Sequence, residues 1–334
     1  MKILVTGGAG YIGTHTCVEL LNKNYEVIIL DNFSNSKPQA ITNIETITKK
    51  KVKFYEGNML DTEILNTIFK ENKIDAVIDF AAYKAVGESV SKPVEYYINN
   101  VSSVLNLLTV MKKYNCKKLV FSSSATVYGT PTSVPITEES KIGGTTNPYG
   151  TSKLFVEKIL NDLYKSDNTW DIVILRYFNP IGAHESGIIG EDAKGIPANI
   201  MPYIVKVAIG ELEVLSVFGN DYDTKDGTGV RDYIHVVDLA KGHIKAIEKL
   251  TNTSNGLYIY NLGTGVGYSV LELIKVFEKV NGVKVNKKIV ARRPGDIAQC
   301  YADSSKAYKE LEFKAEKTIE DMCKDAYNYA LNNK

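Results

Sequence analysis

The glycine-rich segment at residues 3–13 constrains the fold more than any other stretch of this chain. It follows a short apolar run, precedes helical patterning over residues 14–22, and fits two frames, Gly8-x-Gly10-x-x-Gly13 and Gly7-x-x-Gly10-x-x-Gly13. Glycines in such a turn accept positive φ and let backbone N–H groups and a helix N-terminus approach a pyrophosphate. A plain glycine turn before an ordinary helix is the alternative. The order strand, turn, helix favours a dinucleotide site.

A second apolar run supports this interpretation, because residues 27–30 lead directly into Asp31. An acid at the tip of the second strand suits the ribose hydroxyls of NAD and would repel a 2′-phosphate. The polar loop that follows offers Asn32, Asn35 and Ser36 as donors to the adenosine ribose. The composition of this loop fits a solvated loop equally well. We therefore expect NAD as the cofactor.

Strand and helix patterns alternate along the first half of the chain. Strands are predicted near residues 53–57, 75–82, 118–124 and 171–179, and helices over 61–69, 93–114 and 148–164. This alternation predicts an α/β fold, a Rossmann-type doubly wound parallel sheet with a smaller, less regular C-terminal substrate domain. We expect the NAD-binding domain over residues 1–180 and the second domain over 181–334, with segments packing back onto the first. Ligands gather at the carboxyl ends of parallel strands.

Composition excludes several classes of partner. With 40 Lys+Arg and 39 Asp+Glu, the net charge is +1, which gives no electrostatic reason to bind nucleic acid or an acidic membrane. The four cysteines show no metal spacing, so a reduced, cytoplasmic setting and no metal are expected. The predicted first strand leaves no room for a signal peptide, and no apolar run is long enough to span a bilayer.

Tyr149 and Lys153 are four residues apart on a predicted helix, so both point to one face. An ammonium beside a phenol should lower the pKa of Tyr149 and make it a usable acid or base near neutral pH. Ser124 ends the predicted fifth strand, where its hydroxyl can bond the same substrate oxygen. A solvated helix face is the alternative in a chain with 21 tyrosines. The preceding dinucleotide pattern and the serine-rich strand favour catalysis.

With these residues in place, the chain resembles the extended short-chain dehydrogenase/reductase superfamily and, within it, the UDP-glucose 4-epimerase family, also called UDP-galactose 4-epimerases. The resemblance covers nearly the whole length. It is carried by residues 5–13, 30–32, 84–89, 121–129, 148–153, 175–182, 229–235 and 260–263. It implies an isomerase of galactose metabolism that acts on UDP-hexoses. It also implies a homodimer formed by the helices at 93–114 and 149–164.

The resemblance implies a role for each matching residue. Tyr149 would take the proton of the sugar 4-hydroxyl while hydride passes from C4 to NAD, with Lys153 holding the nicotinamide ribose and Ser124 assisting. The 4-keto sugar would then turn over and be reduced on its other face. The implied NAD-binding residues are Gly7, Gly10, Tyr11, Ile12, Gly13, Asp31, Asn32, Asn35, Ser36, Asn58, Met59, Phe80, Ala81, Lys84, Asn99, Ser124, Tyr149, Lys153 and Phe178. The implied substrate-binding residues are Ser124, Tyr149, Asn179, Asn199, Ile200, Ser216, Phe218, Arg231, Arg293, Asp296 and Cys300.

Two positions depart from the family pattern. Asn58 replaces an aspartate that family members often carry near the adenine, and an amide can still bond the adenine edge. Cys300 stands where some members have a tyrosine and others a small residue. A thiol there leaves room for an N-acetyl group, so UDP-GlcNAc and UDP-GalNAc are expected as additional substrates. The alternative is that Cys300 only fills space in the core.

Three rival functions differ from this one in the residues that they require. A nucleotide-sugar 4,6-dehydratase needs an extra acid and base just after the serine strand, where Ala125 and Thr126 have no titratable group. A non-enzymatic, NAD-sensing regulator would not need Tyr149, Lys153 and Ser124 together. A UDP-glucuronate 4-epimerase would need a cation for the sugar carboxylate, which the sequence does not identify.

Overall fold

A computed structural model describes residues 1–192, 199–253, 255–293 and 295–333. Its strands, in chain order, are β1 (Lys2–Thr6), β2 (Glu26–Asp31), β3 (Lys53–Glu56), β4 (Ala76–Asp79), β5 (Lys118–Ser124), β6 (Asp171–Tyr177), β7 (Asn179–Ile181), β8 (Leu215–Phe218), β9 (Val230–His235), β10 (Gly256–Leu262), β11 (Gly267–Ser269), β12 (Lys287–Val290) and β13 (Gln299–Cys300). Its helices are α1 (Tyr11–Asn22), α2 (Gln39–Thr48), α3 (Thr62–Glu71), α4 (Val86–Ser91), α5 (Pro93–Tyr97), α6 (Ser103–Lys113), α7 (Pro148–Ser166), α8 (Ile200–Ala208), α9 (Val236–Asn252), α10 (Val270–Asn281), α11 (Ser305–Leu311) and α12 (Ile319–Asn332). Among these described helices, none combines the length and the hydropathy that a bilayer span requires.

The centre of the molecule is a seven-stranded parallel sheet with the strand order β10-β6-β5-β4-β1-β2-β3. Both faces of this sheet are covered by helices, so its inner strands are continuous apolar runs rather than alternating ones. Ile3, Leu4 and Val5 of β1 are all fully buried. The predicted α/β, Rossmann-type fold class is confirmed.

Successive residues of each strand enter two different apolar layers, because side chains alternate across a sheet. Val5 and Ile29 belong to the layer that packs with α1 and α9. Leu4 and Phe121 belong to the opposite layer, which packs with α3, α6 and α7. The sheet is thereby held rigidly between helices, and the carboxyl ends of its strands are presented along one edge.

The C-terminal part of the chain contributes both to this sheet and to a separate core. β10 is the edge strand of the large sheet and lies parallel to β6. A third apolar layer is formed by α8, α10 and α12 with β8 and β9. Two small sheets accompany it, one in which β9 is flanked by β11, β13 and β7, and one that pairs β8 with β12. This smaller, irregular arrangement matches the predicted C-terminal architecture; within the glycine- and proline-rich segment at 182–202, residues 193–198 lie outside the described part.

The helix predicted over residues 93–114 is present as an unbroken helical run over residues 93–113, with one change of helix type that the prediction did not include. A π-helical turn at Ile98–Ser102 separates α5 from α6. It carries the buried Asn100, whose amide bonds the backbone N–H and C=O of Tyr83 at 2.8 and 3.0 Å. Helical insertions of this kind are frequent at functional sites. Here the insertion fixes the loop that follows β4.

Candidate active site

A cavity of about 730 Å³ lies at the carboxyl edge of the large sheet. Its walls come from the ends of β1, β2, β4, β5 and β6, from the starts of α1 and α7, and from the segment that follows β7. This is the edge at which open parallel sheets bind their ligands. The volume lies within the range typical of small-molecule sites.

The glycine turn forms one end of the cavity. Gly7 has φ +67° and its N–H donates to Leu30 O at 2.8 Å, so the turn is anchored to the neighbouring strand. A Cβ on Gly13 would lie 2.3 Å from Gly7 O, which shows how closely α1 approaches the turn. Gly10 caps α1 without any side-chain hydrogen bond. The helix therefore presents its backbone donors and its positive dipole end to the cavity.

Asp31, at the end of β2, ties the glycine turn to the loop behind it. One carboxylate oxygen accepts from Ala9 N at 3.0 Å, and the other accepts from Phe33 N and Ser36 Oγ, both at 2.9 Å. The side chain lies along the cavity wall but is largely buried. It is therefore held in place by its own loop and still faces the space that a ribose needs.

Tyr149 is the second residue of α7, and local sequence determines its position. The Asn147 side chain caps this helix by accepting from Gly150 N at 2.8 Å, and Pro148 occupies the first turn, where prolines are favoured. Ser124, at the end of β5, also borders the cavity, and its hydroxyl hydrogen-bonds the Tyr149 phenol. One turn along α7, Lys153 Nζ donates to Ser122 O at 2.7 Å.

The pKa of Tyr149 differs from the sequence-based expectation. Burial raises its pKa, and the hydrogen bond from Ser124 opposes that rise only in part. Burial lowers the pKa of Lys153 to about 8, while Asp79 and Glu157 act in the opposite direction. The expectation that the lysine lowers the pKa of the phenol was wrong for the protein alone, because the cost of burying a phenolate exceeds the effect of its partners.

Glu191 joins the two sides of the cavity and was not found from sequence. Its Oε1 accepts from Lys84 Nζ at 2.9 Å, on the sheet side, and from Asn199 Nδ2 at 2.8 Å, on the C-terminal side. Tyr11 makes a similar link, since its hydroxyl donates to Gly182 O at 2.7 Å. No local pattern marks Glu191, because its partner on the sheet side, Lys84, is 107 residues away in the sequence.

Five of the predicted substrate residues form what we call the outer cluster, which consists of Phe218, Arg231, Arg293, Asp296 and Cys300. The Arg293 guanidinium lies 4.7 Å from the Phe218 ring centroid, and its Nε is 3.1 Å from Asp296 Oδ2. Cys300 is opposite Arg231 in the β13–β9 register. Cys300 also packs against the apolar cluster that contains Phe178, a residue of the cavity wall. The outer cluster therefore adjoins the cavity.

The structure separates the predicted residues into two groups. Every residue predicted to bind the dinucleotide lines the cavity, and so do the predicted substrate residues Asn179 and Asn199. The other predicted substrate residues do not line it: Ile200, Ser216, Phe218, Arg231, Arg293, Asp296 and Cys300. Ile200 begins α8 and packs against the C-terminal core, while Ser216 lies on β8. Tyr177, which sequence analysis missed, also borders the cavity, directly opposite Ser124 in the sheet.

Comparisons with known proteins agree with this geometry. Residues 4–326 match the family described as GDP-mannose 4,6 dehydratase. The UDP-glucose 4-epimerase of Bacillus subtilis (strain 168) is 59% identical over 333 residues, which cover 100% of this chain and 98% of the relative. The crystal structure of UDP-glucose 4-epimerase from Bifidobacterium longum in complex with NAD+ and UDP superposes with a TM-score of 0.97 at 61% identity, covering 100% and 99% of the two chains. The UDP-Glc/GlcNAc 4-epimerase of Campylobacter jejuni is 35% identical with a TM-score of 0.85, and 99% of each chain is covered.

Proposed function

This chain belongs to the family described as GDP-mannose 4,6 dehydratase and, within it, to the UDP-glucose 4-epimerases, and we propose that it interconverts UDP-glucose and UDP-galactose with NAD as cofactor. The observation that carries the proposal is the position of Tyr149. Its phenol, hydrogen-bonded to Ser124, lies in the same cavity as the glycine turn and the uncapped start of α1. A sugar hydroxyl and a dinucleotide can therefore meet at one acid–base group.

The residues present fit NAD. The close contact of Gly13 with Gly7 leaves backbone, not side chains, facing a pyrophosphate, and Asp31 offers a fixed acceptor to a ribose. Lys84 and Asn99 border the same space. When bound, NAD supplies a hydride acceptor and, in its oxidised form, a positive charge. That charge offsets the cost of forming a phenolate at the buried Tyr149.

In this mechanism the protein moves a proton at the Tyr149 oxygen. The phenolate accepts the proton of the sugar 4-hydroxyl and returns it to the same oxygen of the epimer. Ser124 hydrogen-bonds that oxygen and so fixes its position. We propose that the Lys153 ammonium, one helical turn away on α7, stabilises the phenolate once it forms. The surrounding burial keeps water from the reacting atoms.

For the UDP moiety we propose the outer cluster, with Asn179 and Asn199 at the cavity wall. The Arg231 and Arg293 guanidinium groups suit a diphosphate because they offer forked, permanently charged donors. Arg293 is half-exposed, and among the described residues its ion pair is with Asp296 on the same loop, so it remains accessible to a ligand. Ile200, Ser216 and Phe218 complete the proposed nucleotide-binding side.

We further propose that the N-acetylated substrates UDP-GlcNAc and UDP-GalNAc are accepted. Cys300 is a small side chain beside the cavity-lining Phe178, and burial raises the pKa of its thiol to about 11, so it stays neutral. The Campylobacter jejuni relative is named for both substrate types. Cys300→Tyr should abolish UDP-GlcNAc turnover and leave UDP-glucose turnover within a small factor, with Cys300→Ser as the size-matched control. If both turnovers fall together in Cys300→Tyr, Cys300 does not set this specificity.

The activity itself is tested by incubating the purified protein with UDP-galactose and following the products by proton NMR. Accumulation of UDP-glucose to a stable mixture supports the proposal. A 4-keto product in which the proton signals of C5 and C6 have changed would indicate a 4,6-dehydratase instead. Ala125 and Thr126, which follow β5, offer no titratable group for that elimination. No conversion would favour a cofactor-sensing protein, and conversion of UDP-glucuronate alone would identify a different epimerase.

We also propose a homodimer and a cytoplasmic setting. Val90, Val94, Ile98, Leu105 and Phe155 are large apolar side chains exposed along α4, α5, the π-helical turn, α6 and α7. Such a patch on neighbouring helices is typical of a protein interface. Light scattering should give twice the mass of the chain, and a monomer mass would refute the dimer. All four cysteines are free thiols, which suits a reducing compartment.

We propose a division into two domains at residue 180, although parts of the second domain pack onto the first. β10 completes the large sheet and α9 covers one of its faces, although both follow residue 180. We therefore propose that residues 1–180 carry the NAD site and 181–334 the UDP-sugar site, with β10 and α9 packing back onto the first. A fragment of residues 1–180 alone should lack cooperative unfolding, as measured by circular dichroism.

A further inference from the structure

A buried acid that the function above does not use lies directly below the cavity. Asp79 is the last residue of β4 and is 2% exposed. It is opposite Thr6 in the β1–β4 register and opposite Phe121 in the β4–β5 register. Its Oδ1 accepts from Thr6 Oγ1 at 2.5 Å, and the Ala81 N–H also donates to the carboxylate. Both of these donors are neutral, so neither balances the charge of a carboxylate.

The Lys153 ammonium reaches the same place from α7. Its Nζ lies 4.8 Å from the centroid of the Phe121 ring and 2.7 Å from Ser122 O. Phe121 is the register partner of Asp79, and neighbouring strands are only about 4.8 Å apart. The lysine, which is 5% exposed, is therefore held next to Asp79 inside the protein.

The other acid near Lys153 is already neutralised. Glu157, one turn further along α7, forms a two-point ion pair with Arg176 at 2.7 Å and 3.0 Å. Ser123 Oγ donates to the same carboxylate at 2.5 Å. Within this buried group, Arg176 balances Glu157, which leaves Asp79 to balance Lys153. A buried ammonium without a counter-ion loses its proton, so this pairing decides the charge of the lysine.

We propose that Asp79 is a positioning residue that keeps Lys153 protonated, and its ammonium in place beside Tyr149, at neutral and mildly alkaline pH. The acid touches neither cofactor nor substrate and acts through the lysine. This goes beyond the proposed function, in which Lys153 stabilises charge at Tyr149 but nothing explains why a buried lysine stays charged.

The pKa directions agree with this geometry. Burial lowers the pKa of Lys153 to about 8, and Asp79 is the first of the groups that raise it. Burial raises the pKa of Asp79, and Lys153 is the first of the groups that lower it. Removing Asp79 therefore lowers the pKa of Lys153 further. As the pH rises, the lysine then loses its positive charge at a lower pH than it does in the parent chain.

The titratable groups around the Asp79–Lys153 pair do not change charge in the pH range where Lys153 does. The charged and titratable side chains that face the pair are Tyr149 and Glu157 on α7 and Arg176 and Tyr177 on β6, while His243 on α9 hydrogen-bonds Ser122 on the opposite face of the sheet. Burial raises the pKa of both tyrosines, and it lowers the pKa of His243 to about 4. Arg176 and Glu157 stay paired. Lys153 is the group in this set that changes charge near pH 8.

The direct test is an NMR titration of the whole protein carrying lysine labelled with ¹³C at Cε, with the Lys153 signal assigned by its loss in Lys153→Met. In Asp79→Asn the signal should titrate at least about one pH unit below that of the parent chain. Thr6→Val removes the hydrogen bond but keeps the carboxylate, so its shift should be less than half as large. Asp79→Ser keeps a partner for Thr6 and should repeat the result if Asp79→Asn does not fold. An unchanged Lys153 titration in the folded Asp79 variant would overturn the proposal.

A second test uses turnover and rests on the proposed function. Because Lys153 is charged below its pKa, the alkaline fall in turnover should move to lower pH in Asp79→Asn. Turnover should drop at least about fivefold at pH 8 and less than about twofold at pH 6, relative to the parent. A purely structural defect would lower turnover equally at both pH values, and that result contradicts the proposal. If the parent itself converts no UDP-sugar, the proposed function fails while the NMR titration still decides the role of Asp79.

Discussion

The wall of the cavity formed by the parallel sheet differs from the outer cluster in how its residues are brought together. On the sheet side, the residues predicted from sequence all border one cavity, because parallel strands end at a common edge. In the outer cluster, Phe218, Arg231 and Cys300 come from three short strands that pair across two small sheets. A rule of topology assembles the first region, and particular long-range pairings assemble the second.

The two regions also differ in how their charges are held. The Glu157–Arg176 pair below the cavity has side chains that are 4% and 2% exposed. The Arg293–Asp296 pair of the outer cluster is 54% and 24% exposed. A buried pair becomes costly when it is broken, whereas an exposed pair contributes little to stability and leaves its arginine available for a ligand. We therefore expect the sheet region to be rigid, and the exposed arginine is consistent with the ligand binding proposed for the outer cluster.

The largest predicted difference between the two regions is in the free energy of unfolding. Arg176→Met should lower the free energy of unfolding by about 3–5 kcal/mol, because it leaves the Glu157 carboxylate buried without its partner. Arg293→Met should change it by less than about 1 kcal/mol. Urea unfolding followed by circular dichroism measures both. Equal losses in the two variants would break the distinction, and Arg176→Met combined with Glu157→Gln should recover part of the loss.

A second prediction concerns the glycine turn. In Gly13→Ala the new Cβ would lie 2.3 Å from Gly7 O, so α1 must move away from the turn. NAD affinity measured by calorimetry should fall at least about tenfold. Gly87→Ala on α4 is the matched control, since a Cβ there meets nothing within 4 Å. Unchanged NAD affinity in Gly13→Ala would show that this close approach does not shape the cofactor site.

The smallest predicted effect is confined to the outer cluster. Arg293→Ala should weaken the binding of UDP about fivefold, because one exposed guanidinium contact to a diphosphate is lost, and NAD affinity should stay unchanged. Arg292→Ala is the neighbouring control, because that arginine instead pairs with Asp221 and stacks on Tyr222. Calorimetry with UDP separates the two. An equal loss in both variants would remove Arg293 from the proposed nucleotide site.

Sequence patterns were sufficient for the parts of the fold that follow from local order. Apolar runs ending in Asp31 and Ser124, and glycines at the first turn, determine the strand ends that surround the cavity. Asp79 likewise ends the apolar run of β4, but the sequence analysis did not assign it a place near the cavity. The outer cluster residues were named only through a family resemblance, since no short pattern joins β8, β9 and β13.

Other features depend on tertiary contacts that no local pattern contains. The π-helical turn is stabilised by the bonds of Asn100 to Tyr83, seventeen residues away in sequence. The position of β10 beside β6 is a pairing between distant segments. The raised pKa of Tyr149 reflects the burial of the phenol, which only the folded chain reveals. These are the features on which sequence analysis was silent or wrong.

The measurement that tests the central claim most directly is the turnover of Tyr149→Phe with UDP-galactose, followed by NMR, together with the amount of NAD that the variant binds. Removing the phenol oxygen leaves the cavity wall intact but takes away the acid–base group. The account predicts at least about a hundredfold loss of UDP-glucose formation with NAD binding unchanged. Turnover equal to that of the parent chain would contradict it.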